Sequence, residues 1–387
     1  MSEPYIYIVV LLLVEALIYL VVRVKRSLRE TLSRHGVNVD FLTVMIDLGD
    51  ASRLHKVASF GRKPVRYVIF IAGIFNMAFL VAYLYLILAS SLKGIFAAIS
   101  SGGTPTSPFV PVIPGVTVGV DMLIPLLLSI GVAVGAHELM HAIAAFIEGV
   151  KIDSWGVGIF AIFPVAYVRP SETSFNEVPR RSRISVLSAG ILGNSLLTLL
   201  CVGFIGILSQ QVVVVPVIID LDRSNPTLPA VQTNISTPSI ILEVNGTKIS
   251  SLNAFTSLLS EFYNHSLIIE LKVEKCIVEG YKAVGTGIID NYAMYKPAGS
   301  KLGVYLRELI SSTTPDHVIT TLTYLNWVFV VNFSLALINA APLFITDGGR
   351  IVSEMLSRVS MKVNYLVQAV TSVAIVILLL IGLASYI

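Results

Sequence analysis

Six long apolar runs are the feature that most constrains the fold of this chain. A helix of about 20 apolar residues spans the roughly 30 Å hydrocarbon core of a bilayer. Composition agrees, because 55% of the 387 residues are hydrophobic and 13% are charged, against about 25% charged in soluble domains. We therefore predict a mainly α-helical, polytopic membrane protein of about six transmembrane helices. The predicted spans are Tyr5–Val22, Tyr67–Leu92, Met122–Ile147, Ile184–Ile207, Ile319–Ala341 and Tyr365–Tyr386.

Lysine and arginine are concentrated between alternate spans. Residues 23–66 hold ten basic and four acidic side chains, which indicates a cytoplasmic segment because positive loops stay inside. Alternation then places residues 148–183 and 350–362 inside and the polar block 210–316 outside. A basic stripe for nucleic acid is the other interpretation of residues 23–66, but the topology bias already accounts for their charge. No nucleic-acid partner is expected.

The third predicted span contains the motif HELMH. His137 and His141 are four residues apart, so a helix presents both imidazoles on one face, where they can bind one metal ion. The intervening Glu138 is the residue that acts as general base in zinc hydrolases with this spacing. Ionisable groups at membrane depth are costly, so they indicate a functional site. The motif predicts a metalloenzyme whose chemistry takes place in or beside the lipid.

A second polar group lies at the inner end of the fifth predicted span. A catalytic zinc ion takes three protein ligands and leaves its fourth position for water. Asp347 follows an apolar helix that Pro342 should break, and Gly348-Gly349 should permit a sharp turn that directs the carboxylate back. Charge topology places Asp347 and the histidines at matching depth. We predict that Asp347 is the third ligand of one zinc ion per chain.

Residues 212–310 differ in composition from the rest of the chain. Short β-rich runs alternate with turn signals, among them Asn245-Gly246, which predicts a hairpin or tight turn. Residues 251–263 are predicted to form a short amphipathic helix. The order strand, turn, helix, strand resembles a PDZ domain, a class that commonly binds an extended peptide along a sheet edge. A generic small α+β domain is the alternative interpretation.

Residues 150–170 are apolar, aromatic and β-branched, but glycine and proline interrupt them too often for a spanning helix. We predict short strands or a re-entrant hairpin close to the HELMH helix, because irregular backbone at this depth must be buried in protein or line a cavity. A β element beside a hydrolytic site would capture substrate by strand addition. A packing loop at the membrane surface is the alternative.

Three motifs together resemble those of the site-2 protease family, the intramembrane zinc metalloproteases. That family pairs H-E-x-x-H with a later N-x-x-P-x-x-x-x-D-G, and here HELMH is followed by NAAPLFITDG at 339–348. The segment AGILGN at 189–194 resembles the family's A-G-x-x-x-N. Ile191 replaces a common proline, which is closer to the metazoan-like or archaeal branch. Thr346 replaces a common leucine, a mild departure that leaves the ligand Asp347 intact. The resemblance covers roughly residues 110–350, including the PDZ-like insertion.

The resemblance implies hydrolysis of peptide bonds in or near the transmembrane segments of single-span membrane proteins, as in regulated intramembrane proteolysis. It implies that His137, His141 and Asp347 bind zinc and that Glu138 is the general base. Asn339 and Asn194 would contact substrate backbone or the oxyanion, or instead make interhelical contacts. Two alternatives stay open: another membrane metalloprotease, such as a prenyl-protein processing type, or a non-catalytic PDZ-bearing membrane adaptor.

The expected organisation has four parts. Residues 1–119 form a two-span region with a basic cytoplasmic loop, and residues 120–210 form the first half of the catalytic membrane core. Residues 211–316 form the PDZ-like extracytoplasmic domain, and residues 317–387 complete the core with the last two spans. The expected partners are substrates, membrane lipid and a peptide or protein ligand of the PDZ-like domain. The active site is expected on the cytoplasmic side.

Overall fold

The computed structural model describes residues 3–49, 62–356 and 360–386. Three of the basic residues that indicated orientation, Arg53, Lys56 and Arg358, lie outside these ranges. The helices of the described chain are α1 (Glu3–Val24), α2 (Arg26–Arg34), α3 (Arg62–Ser100), α4 (Leu123–Glu148), α5 (Glu172–Glu177), α6 (Arg180–Ser209), α7 (Pro229–Gln232), α8 (Leu252–Glu261), α9 (Asp316–Ala340), α10 (Asp347–Leu356) and α11 (Met361–Ala384).

Five helices in the described residues are long and apolar enough to cross a membrane, namely α3, α4, α6, α9 and α11. They coincide with the second to sixth predicted spans, which supports an integral multi-pass membrane protein. The first predicted span falls in α1, which is not among these five, so the count of six stays a prediction. With 39 residues, α3 measures about 58 Å at 1.5 Å per residue.

The described chain divides into two compact units, Met1–Gly203 with Tyr324–Ile387 and Phe204–Thr323. In the first unit, side chains from α3, α6, α9, α10 and α11 form the largest buried apolar cluster. The C-terminal end of α9 contributes Ala336 and Ala340 to this cluster, and Ala341 follows directly after the helix; all three are fully buried. Small residues of this kind let helices approach closely where lipid provides no hydrophobic drive for association.

A four-stranded antiparallel sheet belongs to the same unit. Its strands are β1 (Val37–Asp40), β2 (Thr43–Asp47), β3 (Ile152–Phe160) and β4 (Phe163–Pro170), in that order across the sheet. The predicted hairpin at 150–170 is therefore confirmed as β3 and β4. The other half of the sheet comes from residues 37–47, within the segment that the family resemblance does not cover. The two N-terminal strands extend the β element.

The second unit contains a six-stranded sheet and two helices. The strands are β5 (Val214–Leu221), β6 (Ser239–Val244), β7 (Thr247–Lys248), β8 (Leu267–Glu279), β9 (Lys282–Lys296) and β10 (Val304–Ser311). Their order is β5-β10-β9-β8-β6-β7, and β5 also pairs with β6, which closes five of them into a ring. Asn245 and Gly246 both have positive φ between the paired β6 and β7, so the predicted tight turn is confirmed. The PDZ assignment stays a prediction.

Candidate active site

The structure brings His137, His141 and Asp347 together, although 206 residues separate the second histidine from the aspartate. The Nε2 atoms of the two imidazoles lie 3.0 Å apart. Each Nε2 lies 3.1 Å from Oδ2 of Asp347. The three groups are the one set of metal-ligating side chains that meets within 4.8 Å among the described residues. They therefore form the predicted constellation of two imidazoles and one carboxylate.

The dimensions of this triangle fit a zinc ion. Zinc binds imidazole nitrogen and carboxylate oxygen at about 2.0–2.2 Å in tetrahedral geometry, which separates ligand atoms by about 3.3–3.5 Å. The observed separations of 3.0–3.1 Å require each side chain to move by only a few tenths of an ångström. Two nitrogens and one oxygen are also a donor set that catalytic zinc sites use.

The opposite ring nitrogens fix the tautomer of both histidines. Nδ1 of His137 lies 2.7 Å from Oδ1 of Asn194, and Nδ1 of His141 lies 2.8 Å from the carbonyl oxygen of Val186. Both partners are acceptors, so each Nδ1 carries a proton, and each Nε2 is the ring nitrogen available to a metal. Metal-binding histidines are oriented in this way by groups behind them.

One face of α6 supplies these contacts at a spacing of four residues. Val186 accepts from His141, Asn194 accepts from His137, and Gly190 lies between them. A Cβ atom on Gly190 would lie 2.4 Å from Nε2 of His141 and 2.8 Å from Nε2 of His137. The glycine of the A-G-x-x-x-N motif is therefore required because the backbone of α6 packs directly against the imidazoles.

The structure places Asn194 behind His137, with no exposed surface. Its Nδ2 donates to the Ala133 carbonyl at 2.8 Å and to Oδ1 of Asn332 at 2.9 Å. Asn332 is also fully buried, and its own Nδ2 donates to the Val328 carbonyl at 2.8 Å. Both amides thus have a single consistent orientation. In this position Asn194 orients His137 and does not reach the cavity, so the predicted substrate or oxyanion contact is not available to it.

Leucine substitutions of the two asparagines test this arrangement. We expect Asn194→Leu to weaken zinc affinity by about 10- to 100-fold, the usual effect of losing an outer-shell partner. Asn332→Leu should have a smaller effect, because it acts through Asn194. The double variant should then match Asn194→Leu alone when zinc affinity is measured by chelator competition. Additive losses of zinc affinity in the double variant would contradict the arrangement. The control is Thr323→Val, which removes a hydroxyl group bonded to the backbone of α9.

Asp347 begins α10 after a compact turn. The Thr346 hydroxyl lies 2.6 Å from the Ala341 carbonyl and accepts from the Gly349 N–H at 3.2 Å, the arrangement of a helix N-cap. We predicted that Gly348 and Gly349 are needed for the backbone dihedral angles of a sharp turn. This reason was wrong, because neither glycine has a positive φ. Instead, a Cβ on Gly348 would lie 2.2 Å from the Ala340 carbonyl oxygen, and one on Gly349 would lie 1.7 Å from that of Leu343. Close packing, not dihedral freedom, requires them.

The electrostatic environment keeps Asp347 ionised. Burial raises the pKa of its carboxyl group, but the two imidazoles lower it by more, so the pKa lies well below its ordinary value. The site therefore presents a carboxylate ligand beside the two imidazoles.

Asp347→Asn is expected to weaken zinc retention by about 100-fold or more, since it removes the anionic ligand, and outer-shell losses alone cost about 10- to 100-fold. Zinc content after dialysis against a weak chelator, measured by elemental analysis, checks this prediction. Asp121→Asn is the control, because it makes the same charge change at an exposed position. Equal zinc content in the two variants would remove Asp347 from the ligand set.

Glu138 lies beside the three ligands, and its Oε2 accepts a hydrogen bond from the Val168 N–H of β4 at 2.8 Å. It shares with them a cavity of about 630 Å³ that Asn339, Phe175, Arg350 and Gln368 also line. Asn339 donates from Nδ2 to the Leu335 carbonyl of its own helix at 3.1 Å. The structure thus brings Asn339, but not Asn194, to the cavity wall.

Two imidazoles and a carboxylate thus meet beside a glutamate among apolar helices. This arrangement is typical of the active site of a membrane metalloprotease. A family model described as peptidase family M50 matches residues 125–382. The chain therefore belongs to peptidase family M50, the site-2 proteases, whose members are zinc intramembrane metalloproteases. The resemblance predicted from the three motifs is confirmed.

Two relatives illustrate the extent of the similarity. An uncharacterised protein of Methanocaldococcus jannaschii is 28% identical over 225 residues, which cover 58% of this chain and 55% of the relative. A membrane-bound transcription factor site-2 protease homologue of Arabidopsis thaliana is 33% identical over 89 residues, which cover 23% of this chain and 17% of the relative. The chain thus spans only about half, or less, of the length of these relatives.

Proposed function

We propose that this protein is a zinc-dependent intramembrane endopeptidase that hydrolyses peptide bonds in or near the transmembrane segments of single-span membrane proteins. The observation that carries the proposal is the triangle of His137, His141 and Asp347 with Glu138 beside it. Membership of the M50 family supports the same reaction class. One zinc ion per chain would be held by the three ligands.

The roles of the side chains follow from their positions. Zinc held by these residues would supply polarisation of the substrate carbonyl group and a lowered pKa, about 7, for water at the site. Glu138 takes the proton from the attacking water and delivers it to the leaving amine nitrogen, as a general base and then a general acid. The Val168 N–H holds one oxygen of this carboxylate. Asn339 is the polar side chain of the cavity that we assign to substrate backbone.

The substrate must present an extended backbone, because a helix hides its peptide bonds. β4 is an edge strand of the four-stranded sheet, and its Val168 N–H is directed at Glu138. Backbone groups alternate in direction along a strand, so the N–H of Ala166 is also directed away from β3. We infer that a locally unwound substrate adds to this edge as a further strand, which brings its backbone beside Glu138.

The second unit offers a groove for a peptide ligand. A cavity of about 620 Å³ lies between α8 and β10, lined by Thr256, Leu259 and Tyr263 on one side and by Val304 and Leu306 on the other. β10 pairs with β9 only at Ile310 and Ser311, and the N-terminal part of the strand, Val304 to Leu306, lines this groove. We assign the PDZ-like ligand site to this groove.

We also propose an extracytoplasmic location for this unit and a position toward the cytoplasmic side for the catalytic cavity.

The direct test is cleavage of a single-span substrate by the purified protein in proteoliposomes. We expect products cut in or near the transmembrane segment, identified by mass spectrometry. A zinc chelator should abolish cleavage, and added zinc should restore it. A prenyl-protein processing enzyme would instead cleave a prenylated peptide in the same vesicles. An adaptor without catalytic activity would bind a peptide of the second unit but cleave neither substrate.

A further inference from the structure

A second cavity continues from the catalytic one along β4. Its volume is about 980 Å³, and its lining shares four residues with the catalytic cavity, namely Val168, Pro170, Glu172 and Arg350. Its far side is formed by Asn38 of β1 and Met45 of β2. The N-terminal hairpin β1–β2 is therefore a wall of a cleft that begins at Glu138. None of the three motifs of the catalytic centre includes this hairpin, and the family match begins well after it, at residue 125.

The hairpin is a fixed part of this wall. Residues 43–47 of β2 pair in continuous antiparallel register with residues 156–160 of β3. A Cβ on Gly156 would lie 2.3 Å from the Ile46 carbonyl oxygen, and one on Gly158 would lie 2.3 Å from that of Val44. These two glycines let β2 approach β3, so the sequence of the β element is adapted to the hairpin. With β2 in place, β4 is the edge of this sheet beside the active site.

The lining of the second cavity combines polar and apolar surface and carries charges of both signs. Arg169 and Arg350 face it with the acidic residues Asp153 and Glu172, beside apolar surface from Met45 and from β4. Charged walls disfavour a membrane-spanning helix and favour an extended segment of polypeptide with its own polar side chains. A substrate strand added to the edge of β4 would lead directly into this cavity, because the cavity runs along β4.

We propose that the second cavity is the binding groove for the polar segment that flanks the cleaved bond of the substrate. This segment runs from the edge of β4 past Arg169 and Arg350 to Asn38 and Met45 of the hairpin. The proposal rests on the proposed protease function and specifies how the N-terminal hairpin takes part in it. The hairpin binds the part of the substrate that lies outside the membrane, and it thereby contributes to which substrates are cleaved.

Disulfide cross-linking tests the position of the flanking segment. The enzyme is the full chain with Glu138→Gln, which should bind substrate without cleaving it, and with a single new cysteine in place of Met45. It is mixed with substrates that each carry one cysteine, placed at successive positions of the flanking segment. The two native cysteines, Cys201 and Cys276, are buried. We expect one short run of flank positions to cross-link to residue 45. Thr31→Cys, at an exposed position of α2 outside the cavity lining, should give no such run.

A matched kinetic experiment uses the wild-type catalytic centre. Gly158→Val should displace β2 and raise KM about tenfold for a substrate with its full flank, with kcat nearly unchanged, because chemistry at Glu138 is not altered. A substrate trimmed to its transmembrane segment should show no change in KM. Gly94→Ala, where a Cβ meets no atom within 4 Å, is the control substitution.

The outcomes separate the two proposals. Cleavage by the wild type without any cross-link from residue 45, or with equal loss for trimmed and full substrates in Gly158→Val, would overturn the groove and leave the protease function standing. Absence of cleavage of every single-span substrate by the zinc-loaded wild type would overturn both.

Discussion

Glu138→Gln is expected to lower kcat for a single-span substrate by about 10²- to 10⁴-fold, the usual contribution of a general acid–base group, while zinc content stays near one ion per chain. Glutamine keeps the shape of the side chain and can still accept the Val168 N–H bond, but it cannot take a proton from water. None of the three ligand atoms belongs to residue 138. Cleavage in proteoliposomes and elemental analysis of the same sample measure the two quantities together.

The control for this experiment is Glu177→Gln, which makes the same chemical change at an exposed position of α5. Its activity and zinc content should equal those of the wild type. Wild-type turnover in Glu138→Gln would exclude the general-base role. Loss of zinc together with activity would instead show that Glu138 is needed to hold the metal.

Gly190→Ala is expected to abolish zinc binding, with an affinity loss of about 100-fold or more, which exceeds the usual effect of outer-shell substitutions. The added methyl group would lie 2.4 Å from the metal-facing nitrogen of His141, well inside van der Waals contact. To relieve this steric overlap, either α6 must move away from α4 or the imidazoles must rotate. Rotation would break the hydrogen bonds of the imidazoles to Val186 and Asn194. Zinc titration and a cobalt absorption spectrum, which reports ligand geometry, check the result.

Gly203→Ala is the matched control for this variant. It lies on the same helix, and its Cβ would meet no atom within 4 Å. Both substitutions replace glycine by alanine within a helix, so both gain about the same helix propensity. Normal zinc binding by Gly190→Ala would mean that α6 does not approach the imidazoles as closely as the structure has it.

The metal-ligating residues could be predicted because few types of side chain bind zinc and those types are rare in apolar helices. Two histidines one turn apart on an apolar helix, and an aspartate directly after another apolar helix, are rare and costly at membrane depth. The β-hairpin at 150–170 was predictable for a similar reason, since its glycines and prolines exclude a spanning helix. In each case the information is local, within about twenty residues of the chain.

The groups that support the ligands could not be predicted, because they depend on contacts between distant helices. The AGILGN motif includes Gly190 and not Gly203, but nothing in the motif shows that the backbone at Gly190 packs against the imidazoles. Asn332 lies within a predicted span outside the three motifs, but it is a buried partner of Asn194. Thr346 looked like a departure from the family motif, and its hydroxyl caps the helix that begins with Asp347.

The N-terminal strands were missed for a related reason. Strand pairing between residues 43–47 and 156–160 joins segments more than one hundred residues apart, and its register follows from backbone approach at two glycines. A short β-branched run beside a basic segment does not reveal such a partner.

The metal ligands come from two pieces of chain that the second unit, Phe204–Thr323, separates in sequence. His137 and His141 belong to the piece before it and Asp347 to the piece after it. A metal ion held by all three therefore fastens the ends of a long loop, and its binding free energy becomes part of the folding free energy of the membrane core. A chain cut within the second unit would leave both pieces in the membrane. Zinc would then join the two pieces in addition to the buried apolar cluster that they share, and metal content would measure how much of the cut protein stays assembled.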